Sequence, residues 1–150
     1  IDFSSGTILI KNKKIQSAEL TVNMNTITCL DIDKKDSRDY FVSHLKSDDF
    51  FGVDKFPEAT IKFVEIKNNK DINETILNCD LTIKGITNRV EFPITLSFKE
   101  DIAIASGTII IDRTKYGIKY KSKSFFSDIG DKFIYDDFIF NFSIVSNLNE

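Results

Sequence analysis

Apolar and polar positions alternate with a period of two through most of this chain. Ala18, Leu20, Val22 and Met24 share one face of a segment whose other face carries Glu19, Thr21 and Asn23. Leu77, Cys79, Leu81 and Ile83 alternate with Asn78, Asp80, Thr82 and Lys84. Val90, Phe92, Ile94, Leu96 and Phe98 follow the same rule, as do Phe138, Phe140, Phe142 and Ile144. Successive strand side chains point to opposite faces, so each run predicts a strand with one buried and one wet side. Further strands are predicted near 3–11, 58–66, 102–112 and 118–126. Turn-forming residues separate them at Asn68–Asp71, Lys84–Asn88, Lys99–Asp101 and Asp128–Asp131. Connections this short make neighbours in sequence pair antiparallel. About eight such strands predict an all-β, antiparallel sheet closed into a barrel, because closure removes exposed edges. Pro93 falls inside a predicted strand and marks a local irregularity.

One stretch breaks the pattern. Within residues 31–57, Asp36 is placed to cap a short helix, and Phe41, His44 and Leu45 share one of its faces. Ser47-Asp48-Asp49 reads as a second N-cap, followed by Phe50-Phe51 and a terminating Gly52. A helical insertion over about 36–51, among hairpin-linked strands, reads as a lid or binding element.

Composition narrows the function. At 150 residues with no linker, repeat or low-complexity tract, 1–150 reads as one domain. The net charge of −3, with scattered lysines, offers no basic stripe for nucleic acid. No apolar run approaches the ~20 residues of a spanning helix. One histidine, His44, and two distant cysteines, Cys29 and Cys79, do not supply a zinc site. Glycine-rich nucleotide loops and a nucleophile elbow are both missing, and the paired acids read as caps and solvated turns. No catalytic set, metal or cofactor is therefore assigned. His44 reads as a hydrogen-bonding residue of the lid or a contact to a ligand head group. Cys79 reads as a buried free thiol, with a Cys29–Cys79 bridge as the alternative. Phe125-Phe126 reads as core or rim packing, with a membrane or partner patch as the alternative. Alternation by itself does not separate a solid core from a cavity, since an eight-stranded barrel is either just filled or holds one small ligand.

Three blocks resemble a known family. Arg38-Asp39, His44 to Phe51 and Lys55-Phe56-Pro57 form the first. Asp80 to Thr87 forms the second, and Ile111 to Ile118 the third. In this order they resemble the YceI-like, polyisoprenoid-binding, lipocalin-like proteins. Met24 to Ile27 and Ser124 to Phe126 look most like members from the Bacteroidetes. The resemblance implies an extended antiparallel barrel around a long apolar tunnel that takes a polyisoprenoid, an isoprenoid quinone or a fatty-acid derivative. It implies export, to the periplasm or beyond, and pairing of some members as homodimers. It also implies a further strand ahead of Phe3–Lys11, of which residues 1–5 are at most a remnant, leaving an edge for a partner chain to complete. On this reading Phe63, Leu81, Ile83, Val90, Phe92, Ile94, Ile109, Ile111 and Phe126 line the tunnel. Phe41, Leu45, Phe50 and Phe51 gate it, and His44 and Arg38 meet a polar head group. A solid-core interaction module and a lipid-modifying enzyme using His44 are the competing readings.

Overall fold

Seven antiparallel strands follow one another around the sheet in sequence order in the computed structural model, which describes residues 1–69 and 74–147. They are β1 (Asp2–Lys11), β2 (Lys14–Asn23), β3 (Glu58–Asn69), β4 (Glu74–Ile83), β5 (Ile86–Lys99), β6 (Ile102–Asp112) and β7 (Asp137–Asn147). Side chains of both edge strands, Phe3 and Ile8 of β1 and Phe138 to Ile144 of β7, line the same interior space. The sheet is therefore curled into a half-barrel, and among the described residues no ladder joins β1 to β7.

Hairpin chemistry explains the meander. Asn12 and Lys13 both take positive φ (52° and 58°), as do Lys84 and Gly85 (51° and 72°). Consecutive left-handed residues make the two-residue turn whose twist matches antiparallel strands. The predicted turn at Asn68–Asp71 falls partly outside the described residues, at Lys70 and Asp71, while Asn68 and Asn69 still belong to β3. Pro93 lies within β5 beside the switch between ladders: Ile94 is both the last partner of β4 and the first of β6.

Three expectations change. Residues 118–126 form turns, so among the described residues the strands number seven where about eight were predicted. Ile118 and Ser122 there are fully buried, fixed by the backbone bonds Ile118 N to Arg113 O and Phe126 N to Ser122 O. Local burial at two points imitated a strand's alternation. The helix α1 runs Lys35–Lys46, with Lys34 as N-cap and Asp36 inside the first turn. Asp36 thus acts on the helix dipole, without a capping bond. Ser47 ends that helix instead of starting another: its N and Oγ both donate to His44 O, at 3.1 and 2.7 Å. Gly52, at φ 56°, turns back with its N donating to Ser47 O at 2.8 Å.

Candidate functional site: an apolar cavity inside the half-barrel

Inward residues of all seven strands surround a cavity of about 290 Å³. That is roughly twice the ~150 Å³ of an engineered apolar cavity that stays dry and takes up benzene. Its wall is hydrocarbon and aromatic, broken among the described residues by Thr28, Thr60 and the sulfur atoms of Met24 and Cys79. Burying a hydrocarbon chain against such a wall gains about 0.8 kcal/mol per methylene.

Of the nine residues the sequence assigned to a tunnel, Phe63, Leu81, Ile83, Phe92, Ile94, Ile109 and Ile111 stand on this wall. Val90 does not. It is partly buried against the core cluster. Phe126 is also off the wall and half exposed, because its segment is a turn. The wall also includes residues not singled out from sequence: Ala18, Leu20 and Val22 of β2, Ala105 of β6, and Phe138, Phe140, Phe142 and Ile144 of β7. Their alternation was the available signal, since two of these runs were read as strand faces.

The gate divides. Phe51 faces the cavity and meets Phe138 edge-on at 6.0 Å between ring centroids. Phe50, its neighbour, is turned away and buried. It packs edge-on against His44 at 5.1 Å and lies under the Arg113 guanidinium at 6.0 Å. Phe41 is 43% exposed, and neither it nor Leu45 reaches the cavity. The helix α1 buries none of its residues fully, and none of them stands on the cavity wall.

His44 and Arg38 are likewise away from the wall. His44 Nε2 lies 3.2 Å from Asp49 Oδ2, and its ring meets Tyr120 edge-on at 4.8 Å. Arg38 Nη1 donates to Ile32 O at 3.4 Å. Ser43 Oγ donates to Tyr40 O, so it is not engaged with the histidine ring beside it in sequence. This cluster fastens α1 to the loop after β6. It presents no nucleophile–base pair.

Arg113 is the second fastening point. It is 4% exposed, and its forked guanidinium donates to Tyr135 O (2.9 Å), Ile118 O (2.9 Å) and Ile134 O (3.0 Å) and reaches Asp136 Oδ1 (3.4 Å). Hydrogen bonds from Ser122 and Ser124, joined by the Arg113 charge, hold the Asp136 carboxyl below its usual range.

Gly107 shapes the cavity. A Cβ there would come within 2.8 Å of Phe142 Cζ and 2.9 Å of Pro93 O, so its absence lets the Phe142 ring lie across β6. Gly107→Ala is expected to displace that ring and to strain the β5–β6 ladder at Pro93 O. Calorimetric titration with straight-chain fatty acids should then show a changed chain-length profile, each methylene being worth roughly fourfold in affinity. An unchanged chain-length profile would remove Phe142 from any role in sizing the cavity.

Both cysteines are free, Cys29 half buried and Cys79 buried in the wall. Burial, with Asp80 adding to it, pushes the Cys79 thiol up to about 11. At pH 8 it is almost wholly protonated, and the thiolate is the reactive form. Maleimide labelling at pH 7 to 8 followed by peptide mapping should modify Cys29 well ahead of the buried Cys79. Equal rates at pH 8 would contradict this burial.

Residues 1–146 match the YceI-like domain. The chain belongs to the YceI-like family. A UPF0312 protein of Staphylococcus aureus (strain bovine RF122 / ET3-1) is 40% identical over an alignment 94 positions long that covers 58% of this chain and 50% of that protein. Another from strain USA300 is 42% identical over the same shares. The YceI-like chain thus spans about half the length of the curated relatives it matches. Among solved structures, Burkholderia cenocepacia BcnA superposes with a TM-score of 0.73 at 20% identity, over 97% of this chain and 84% of that one. A Campylobacter jejuni YceI protein gives 0.70 at 18%, over 99% and 84%. At such identities the likeness is one of fold, and that fold is the lipocalin-like antiparallel barrel. Lipid binding is consistent with the YceI-like family.

Proposed function

We propose that this YceI-like chain carries a long-chain amphiphilic lipid, with the hydrocarbon tail inside the half-barrel and the polar end outside. The supporting observation is the cavity of about 290 Å³, whose wall offers almost nothing but carbon. A polyisoprenoid, an isoprenoid quinone and a fatty-acid derivative share that tail chemistry. The protein binds such a molecule and does not transform it, because His44 sits apart from the wall. Family likeness supports action after export, in the periplasm or outside the cell. The Bacteroidetes-type ancestry rests on Met24 to Ile27 and Ser124 to Phe126 alone. The proposal extends to a homodimer, supported by β1 and β7 standing at the two edges of the sheet with no strand beyond them among the described residues.

Native mass spectrometry of protein purified from cells tests the reading. Recovery of a complex that releases a long-chain lipid on organic extraction is the expected result. Lipid-free protein that also takes up no long-chain probe would overturn it.

A further inference from the structure

The loop between β6 and β7 combines two features that the cavity does not use. Residues 115–127 carry four lysines (Lys115, Lys119, Lys121 and Lys123) and no acid, in a chain whose net charge is −3. At the tip of the same stretch Phe125 and Phe126 are 48% and 51% exposed, two adjacent rings held in water. From these we infer that this loop is a docking surface for an anionic lipid bilayer.

The loop is built to present those rings. Ser122 is wholly buried, and its carbonyl accepts from both Phe125 N (3.2 Å) and Phe126 N (3.0 Å). Ser124 Oγ donates to Asp136 at 2.6 Å, and Ile134 N donates to Lys121 O at 2.8 Å. Tyr120 packs against His44 and Phe50, fixing the base of the loop to α1. Ordering the segment therefore costs little at the moment of contact. Lys119 Nζ stands 4.4 Å from the Phe125 ring centroid, so a cation and an apolar ring are offered side by side. Tyr135, 77% exposed, stands on the segment that Arg113 ties to this loop.

This pairing suits a membrane interface. Aromatic rings settle at headgroup depth, and lysines reach past them to the lipid phosphates. An acidic protein would satisfy the lysines but leave the exposed apolar surface of the two phenyl rings in water. The next acids in sequence, Asp128 and Asp131, lie on the following turn with Lys132 between them and the strand β7. The loop sits at the α1 end of the sheet, the end to which Phe51 and Phe138 bring the cavity wall. Contact there sets a lipid source beside the carrier, and the contact does not require a loaded cavity.

Co-sedimentation with vesicles tests it, using phosphatidylcholine alone and phosphatidylcholine mixed with phosphatidylglycerol, at low and high salt. The full chain should pellet with the mixed vesicles, less so in high salt, and stay in solution with phosphatidylcholine alone. Each surface lysine contributes roughly fivefold, so Lys119→Gln with Lys123→Gln should weaken binding about 25-fold. Phe125→Ser with Phe126→Ser should weaken it at unchanged lysine content. All four side chains are exposed, so thermal midpoints should stay level. No pelleting with phosphatidylglycerol overturns the inference. So does pelleting that neither pair of changes affects. Retention on heparin without any vesicle binding reassigns the face to a soluble polyanion and overturns it too.

Discussion

Replacing Arg113 by alanine is expected to cost about 3–5 kcal/mol, because its buried guanidinium bonds three carbonyls and reaches the partly exposed Asp136, and hydrogen bonds from a charged group contribute roughly 1.5 kcal/mol each. The loss has several parts. Tyr135 O, Ile118 O and Ile134 O each lose their donor, and Asp136 loses its countercharge. Phe50 loses the cation over its ring. Lysine is no substitute, since one ammonium cannot reach carbonyls on both sides of a fork. In thermal denaturation the midpoint should fall by roughly 10 °C or more. Lys55→Ala is a control of the same charge: it breaks an exposed pair with Asp48 and should cost under about 1 kcal/mol. A midpoint for Arg113→Ala as little changed as that control's would mean the buried network holds nothing.

The second large effect concerns the cavity, and it separates binding from stability. Cys79→Phe places a ring in the void from the middle of β4. The new ring displaces about three methylenes of any tail, and at ~0.8 kcal/mol each the affinity should drop roughly fiftyfold. Stability should hold or rise, because the ring fills empty space that costs the native protein contacts. A packed core predicts the opposite, strain and a lower midpoint. Fluorescent fatty-acid displacement and thermal denaturation on the same sample give both numbers. Lower stability with unchanged affinity would indicate that the tail does not lie against Cys79.

The sheet was legible because half-burial writes itself into period two. Leu77 to Ile83 and Phe138 to Ile144 show the alternation without interruption, and the strands lie there. The Ile118 to Phe126 segment misled because Ile118 and Ser122 are buried by hydrogen-bonded turns, whose spacing resembles a strand over short stretches. The cavity wall was legible where it follows from facing: Leu81, Ile83, Ile109 and Ile111 are inward positions of central strands. The lid was not. Adjacent residues Phe50 and Phe51 divide between two clusters, and what decides which faces inward is the backbone path after Ser47. The roles of Arg113 and Gly107 were invisible for a related reason. Each depends on residues far away in sequence, Asp136 for one and Phe142 for the other.

Methyl-labelled isoleucine gives the most direct test, because β6 carries isoleucines on both faces. Ile109 and Ile111 are 2% and 4% exposed on the cavity wall, while Ile110 between them is 67% exposed on the outside. With a deuterated protein bearing protonated isoleucine methyls and a bound palmitate, nuclear Overhauser contacts from the tail should reach Ile109 and Ile111 and leave Ile110 silent. Contacts confined to Ile110 and other outward methyls, or none to the inner pair with palmitate bound, would contradict a tail held inside the sheet.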